Sequence, residues 1–400
     1  MEGVEKLPEV INQQSAAQKQ TPRKRAKRKQ NPFLVFLLAV VCILLTLPMI
    51  RTLFIGSGAQ GTSSQVAASG VAIMDKFDIF VTNNIASSLE NVVPIKRVYS
   101  LNDSDLVAPK PNPACYGEVS TPGELMWLLE EAKDLIGGQE MTFNENTPVW
   151  DGDKIHYYYD ETILVITWKQ ILDYSVYTIS EVKIAHPSQF RRFLADGKFG
   201  SDKQYVTTEM AKSVNAVVAT SGDFYKFRQN GVIVYDGEVR RFEGSTVDTC
   251  FINDKAELLF AYRGDLKTQE EAQKFVDDNN IRFSLAFGPV LVDNGEVYPT
   301  TSYPIGEINK NYSRGAVCQR DDLHYLFVTL GQEGPYTIRQ KSHVFAQRLQ
   351  EMGVQKAYAL DGGQTTVIAM DGELISRPDY GTQRQISDII YFATALPWEE

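Results

Sequence analysis

The chain has 400 residues, 43% apolar and 11% aromatic, with 40 basic and 50 acidic side chains and a net charge of −10. That apolar content excludes a disordered chain, and the length exceeds the usual size of one domain. Residues 1–55 carry nine basic and three acidic side chains, leaving 31 against 47 beyond them, a net of −16, which argues against non-specific nucleic-acid binding by the larger part.

Lys19, Arg23, Lys24, Arg25, Lys27, Arg28 and Lys29 form a basic block. An apolar run from Phe33 to Leu47 follows and continues to Ile50, eighteen residues in all and just long enough to span a bilayer. A basic block alone also reads as a nuclear or nucleic-acid signal, but a span directly behind it makes the positive-inside rule the better account. Residues 1–32 are therefore expected to be a cytoplasmic tail, 33–55 a single-pass cell-membrane anchor, and the C-terminal domain extracellular. A cleaved signal peptide is the competitor, since Gly56-Ser57-Gly58-Ala59 offers small residues to a peptidase; the long apolar run favours the anchor.

Residues 56–153 read as a stalk and a helical N-terminal region. Gly56 to Ala68 is rich in Gly, Ser and Gln. Ile73, Phe77, Phe80, Ile85 and Leu89 recur at near-helical spacing and predict an amphipathic helix over 71–92. Pro109, Pro111 and Pro113 mark a turn-rich connector. Thr121-Pro122-Gly123-Glu124 then opens a capped helix whose apolar face is Leu125, Leu128, Leu129, Ala132 and Leu135, and Gly137-Gly138 ends it.

From Lys154 the pattern changes to strands: Ile155 to Tyr159, Thr162 to Trp168 and Tyr174 to Val182. His186-Pro187-Ser188 is expected to open a short helix carrying Arg191 and Arg192, and Thr208 to Ser213 a second one, leading into the strand Ala216 to Thr220. Asp236-Gly237, Asn294-Gly295 and Asp371-Gly372 lie between strand-like runs and predict two-residue hairpins. Thr268 with Glu271 caps a further helix, and Ser342 opens another that stops at Gly353. That last helix lies between strands at Leu323 to Leu330 and Ala357 to Leu360, a βαβ unit whose two strands should be parallel. The chain from 154 to 400 is thus an α+β domain, a mixed β-sheet core with βαβ elements and hairpins, preceded by the transmembrane helix and the small helical region.

The chemistry gathers at two strand ends. Leu360-Asp361-Gly362-Gly363-Gln364-Thr365 places a carboxylate directly after buried strand, with glycines that let the backbone turn away from a ligand. Ser221-Gly222-Asp223-Phe224-Tyr225 repeats the arrangement; its aromatics form a wall for a sugar ring, or Asp223 caps its own turn and Phe224 belongs to the core. In sheets with parallel strands ligands collect beyond the carboxyl ends, which predicts that Asp223 and Asp361 share one cleft. Arg314 opens a strand, and its planar fork suits a phosphate or a salt bridge on the rim. Gly288 permits either close ligand approach or a bulge, and Glu307 is a loop carboxylate. His186 and His324 read as structural. Cys115, Cys250 and Cys318 match no zinc pattern and are expected to pack, a Cys250–Cys318 bridge being the one alternative. No cofactor is expected, and the aspartate spacing neither requires nor excludes a divalent metal.

Taken together, these motifs over Tyr174 to Leu396 resemble the phosphodiester glycosidase family. Ser221 to Tyr225 is similar to the family's Asn-Gly-Gly/Asp-Phe-Phe element, and Phe287 to Glu296 to its Gly-Pro-x-Leu-x-x-x-Gly segment. Arg314 falls on the arginine of Pro-Arg-Thr-Ala-Ile-Gly, Asp361-Gly362-Gly363 on Asp-Gly-Gly-Gly-Ser, and Gly381 to Arg384 on the late Gly-x-x-Arg. The chain departs from the family at Ser221, Ser313, Gln364 and Thr365, where Asn, Pro, Gly and Ser stand in the pattern. The resemblance implies a catalytic set of Asp223, Asp361 and Arg314. Around it would lie substrate contacts at Ser221, Gly222, Phe224, Tyr225, Gly288, Glu307, Gly362, Gly363, Gln364, Thr365 and Arg384. The N-terminal anchor resembles that of membrane-tethered bacterial members.

Three functions follow as expectations. The leading one is extracytoplasmic hydrolysis of a sugar 1-phosphodiester at its glycosidic bond, on an envelope or exopolysaccharide substrate, with the membrane as the anchor's partner and no nucleic acid involved. A tethered polysaccharide-binding protein without catalysis is the second, prompted by the bulky Gln364. The third is a metal-assisted phosphodiesterase that cleaves at phosphorus.

Overall fold

The computed structural model describes residues 100–398 apart from 224, 244, 245, 301, 302 and 304–306. The expected tail, anchor, stalk and helix over 71–92 lie outside the described residues, as does Phe224. No helix among the described residues is long and apolar enough to cross a membrane.

Three sheets make up the fold. The largest has nine strands, in the order β1 (Tyr116–Val119), β2 (Ile155–Asp160), β3 (Ile163–Leu172), β4 (Ser175–Ile184), β15 (His324–Gly331), β14 (Arg314–Asp321), β16 (Lys356–Leu360), β12 (Val290–Asp293) and β13 (Glu296–Val297). A second holds β10 (Leu258–Ala261), β9 (Thr249–Asn253), β11 (Ile281–Leu285), β7 (Gly231–Tyr235) and β8 (Glu238–Glu243). The third holds β18 (Glu373–Leu374), β17 (Ile368–Met370), β6 (Val218–Ser221), β19 (Asp388–Phe392) and β5 (Phe190–Leu194).

Strand alternation explains how these sheets stack, because successive side chains point to opposite faces. On β15, Leu326, Val328 and Leu330 face one way, into a cluster with Leu125 and Leu128 of α1 (Pro122–Glu131), Ile136 of α2 (Lys133–Ile136), and Phe345 and Leu349 of α5 (Ser342–Glu351). Tyr325 and Phe327 face the other way, into a central core shared by all three sheets. The smaller sheets each carry one helix on their outer face: α4 (Gln269–Asp278) through Ala272 and Val276 on the second, and α3 (Thr207–Ser213) through Met210 and Ala211 on the third. At the junction Phe190 of β5 meets Phe283 of β11 at 5.7 Å, Tyr325 of β15 at 5.2 Å and Phe392 of β19 at 4.6 Å between ring centroids. One fully buried ring thereby ties the three sheets together, a burial worth about 1.5–3 kcal/mol.

The glycine turns form as expected. Asp236 and Gly237 (φ 53° and 74°), Asn294 and Gly295 (51° and 75°), and Asp371 and Gly372 (52° and 67°) are left-handed at both positions and join β7 to β8, β12 to β13 and β17 to β18. Thr268 caps α4 by accepting from Glu271 N at 3.2 Å. α1 and α2 pack on the same sheet as the strands after Lys154, so no break in the core separates residues on the two sides of 153/154.

Two expectations change. Every strand pairing among the described residues is antiparallel. β15 and β16, joined through α5, do run in the same direction, but β14 lies between them and pairs antiparallel with each. The β14–β15 hairpin fills the neighbouring edge before α5 returns the chain, so β16 takes the far side of β14. Arg191 and Arg192 sit on β5, not on a helix, because the turn that His186 caps ends after Pro187–Gln189. Cys115, Cys250 and Cys318 are free thiols, and the last two are buried in the core.

Candidate active site

β16 delivers Asp361 to the mouth of a cavity of about 220 Å³ whose wall also includes Arg228, Phe287, Gly288, Tyr312 and Arg314. Asp361 keeps 16% of its side chain exposed. Its carboxylate accepts from the N–H of Gly362 at 2.9 Å and from Nη1 of Arg384 at 3.4 Å. Burial pushes this carboxyl above its ordinary pKa, while the charges of Arg384 and Arg228 pull the other way.

The glycines that follow are required by close packing. A Cβ on Gly362 would lie 2.1 Å from the carbonyl oxygen of Ser313, and Gly363 (φ 72°) passes under the hydroxyl of Tyr312. Thr365 and Thr366 lock the turn by donating from their hydroxyls to the carbonyls of Gly362 and Gly363 at 2.8 and 2.7 Å. Gly362→Ala is expected to cost about 1–3 kcal/mol, since the opposing atom is backbone and must shift. Urea unfolding measures this, and a variant as stable as its parent would show that the Ser313 carbonyl yields freely.

Arg314 reaches the cavity, but its guanidinium is largely occupied. Nε donates to the carbonyl of Gln340 at 3.2 Å, and Nη2 to those of Glu307 at 2.7 Å and Lys310 at 2.8 Å. Burial lowers its pKa to about 10. Arg314 thus holds the 307–310 loop in place, and Glu307 on that loop stands exposed at the cavity rim.

Asp223 does not line this cavity. Its side chain is fully buried and pairs with Nη2 of Arg192 at 2.9 Å; the same arginine donates through Nε to Asp388 at 2.9 Å. Asp223 also accepts from the N–H groups of Tyr225 and Ala286, each at 2.9 Å. Burial raises its pKa and the Arg192 charge opposes that rise. The cleft expected to join Asp223 and Asp361 is therefore divided into a cavity with Asp361 and a buried triad with Asp223.

The other motif residues divide the same way. Gly288, Glu307 and Gly362 line the cavity, and Arg384 stands over Asp361. Ser221 donates to the carbonyl of Thr365 at 2.8 Å, and a Cβ on Gly222 would lie 1.9 Å from Asp388, so both belong to the packing beneath. Tyr225 is buried and stacks on Phe199 at 5.0 Å, where it is not open to a sugar. The amide of Gln364 donates to the hydroxyl of Thr382 at 2.7 Å.

Sequence reading missed Arg228, Tyr312, Arg192 and Asp388 as members of this ensemble. Asp388 left one signal, a charge opening the otherwise apolar run Ile389-Ile390-Tyr391-Phe392. Arg228 sits in an aperiodic loop and left none. His324 is structural, its Nε2 lying 2.8 Å from Glu181 with both side chains fully buried.

No three His, Cys, Asp or Glu side chains among the described residues converge as metal ligands. Asp361 lies under the positive field of two arginines and Asp223 is paired with a third, so neither offers the anionic oxygen cluster that a divalent cation takes.

Residues 214–393 match the sequence profile of the phosphodiester glycosidase family. No curated protein matches the chain. A solved structure of a hypothetical protein from Synechocystis aligns at 15% identity with a TM-score of 0.46, over 62% of this chain and 64% of that one. The catalytic domain of zebrafish N-acetylglucosamine-1-phosphodiester alpha-N-acetylglucosaminidase, auto-inhibited by its pro-peptide, aligns at 17% identity with a TM-score of 0.47, over 70% of this chain and 88% of that one.

Proposed function

Given that residues 214–393 belong to the phosphodiester glycosidase family, we propose that the chain hydrolyses a sugar 1-phosphodiester between the anomeric carbon and the ester oxygen. Water adds to the anomeric carbon, the carbon–oxygen bond breaks, and the products are a free reducing sugar and a phosphomonoester. The observation that carries this reading is a carboxyl group with raised pKa, Asp361, facing a cavity lined by guanidinium groups.

The chemistry suits that arrangement. A phosphate is a stable leaving group, so the departing oxygen needs less proton assistance than an ordinary glycoside and more stabilisation of its negative charge. Asp361 in its acid form gives a proton to that oxygen, and as a carboxylate it takes one from the attacking water. Asp223 acts as a positioning residue, because its oxygens hold the N–H groups of two chain segments that reach the cavity. The basic block and apolar run ahead of an acidic portion support export, and with it an envelope glycan or exopolysaccharide phosphodiester as the substrate.

Incubating the full-length chain in detergent with an N-acetylglucosamine 1-phosphodiester, and following products by phosphorus NMR and a reducing-sugar assay, tests the reaction. Reducing sugar with a phosphomonoester is the expected result. Release of sugar 1-phosphate would move cleavage to phosphorus, and binding without either product would leave a glycan-binding domain.

A further inference from the structure

We propose that Arg228, a residue outside the recognised motifs, is the side chain that grips the substrate's phosphate, while Arg314 builds the wall behind it. The assignment rests on the phosphodiester reading above and specifies which group meets the anion.

Among the described residues Arg228 has no carboxylate or carbonyl accepting from its guanidinium. The contrast with its neighbours is direct. Arg314 spends Nε and Nη2 on backbone carbonyls, and Arg384 donates to Asp361. Arg228 instead lies over the ring of Phe287, its guanidinium carbon 4.0 Å from the centroid, in the same wall as Asp361. An aromatic face neutralises no charge and accepts no in-plane hydrogen bond, so the N–H edge is left for an anion. A guanidinium edge matches two oxygens of one phosphate in a bidentate pair, which a lysine cannot reproduce.

The backbone around Arg228 is held for this purpose. Arg241 on β8 donates to the carbonyls of Tyr225, Arg228 and Asn230 at 2.7, 2.8 and 3.2 Å, fixing the whole turn. Asp223 binds the N–H of Tyr225 at the start of that turn with one oxygen, and with the other the N–H of Ala286, next to Phe287. A single buried carboxylate thus sets the guanidinium and its aromatic platform relative to each other. This gives Asp223 a task that needs neither substrate contact nor proton transfer.

The test uses the full-length chain in detergent with inorganic phosphate as the binding probe, followed by calorimetry. It is paired with turnover of two substrates of the same sugar, a 1-phosphodiester and an uncharged aryl glycoside. Arg228→Gln is expected to weaken phosphate binding about 10- to 100-fold, the value of a charge-assisted pair. It should lower kcat/KM for the phosphodiester about 10²- to 10³-fold, a much larger fall than on the aryl glycoside, which feels only the loss of the Arg228 charge beside Asp361. Arg228→Lys should recover only part of the binding. Unchanged phosphate affinity in Arg228→Gln, an equal fall on both substrates, or no phosphate binding by the parent would each overturn the assignment. Arg228-dependent phosphate binding in a protein that turns over neither substrate would support the anion site and remove the hydrolase reading.

Discussion

Replacing Asp361 with asparagine is expected to lower kcat on a sugar 1-phosphodiester about 10²- to 10⁴-fold and, at neutral pH, to make the protein more stable. The first effect follows from losing the group that gives or takes the proton. The second follows from burial, which raises the carboxyl above its ordinary value of 3.8. The fold then binds that proton more tightly than the open chain does. Stability from the protonated form is fully present below about pH 3.8 and is lost as pH rises through the raised folded value. Above it the ionised carboxylate costs the fold energy that asparagine does not. Calorimetric midpoints for the parent and Asp361→Asn should therefore separate at pH 8 and converge near pH 3. Full turnover by the variant would remove Asp361 from the chemistry, and equal midpoints at both pH values would remove the burial argument.

The largest loss of stability is expected from Arg192→Met. Arg192 is the cation of the buried triad, and it also donates through Nη1 to the carbonyl of Ser284. Its removal takes from Asp223 and Asp388 the cation they share, in a site where the arginine and both aspartate side chains have no exposure. Breaking a buried pair by deleting one partner costs about 3–5 kcal/mol, a large share of the ~5–15 kcal/mol that holds a typical domain together. Urea unfolding of Arg192→Met reads this directly. Adding Asp223→Asn and Asp388→Asn to the same chain should restore part of the loss, because no charge is then stranded. A single variant that loses less than about 1 kcal/mol would mean that water reaches the triad.

What was legible in the sequence was local. The three Asp-Gly and Asn-Gly turns declare themselves because left-handed backbone at both positions admits few residue types. Asp361 with its two glycines stands out because Gly363 is left-handed and Gly362 passes against the carbonyl of Ser313. Neighbour relations across the sheet were not legible. Strand, helix, strand predicts that β15 and β16 run the same way, which they do, but not that β14 is inserted between them. Asp223 was visible as an acid at a strand end, whereas its partners lie 31 residues away at Arg192 and 165 away at Asp388, beyond any local pattern. Tyr225 read as a sugar wall because a sequence does not tell which side of a turn an aromatic takes. Phe199, from another segment, covers it.

The position of β19 has a bearing on how the protein is made. This strand carries Asp388 and lies between β5 and β6, although Arg192 on β5 precedes it by 196 residues. A nascent chain emerging from the ribosome therefore exposes two bare strand edges, and a cation with one of its two carboxylates, until Asp388 and the strand it opens are translated. A product cut short before residue 388 lacks the middle of that sheet and cannot shape the segments that Asp223 holds at the cavity. The triad and the cavity wall it shapes therefore come together only once β19 has joined β5 and β6.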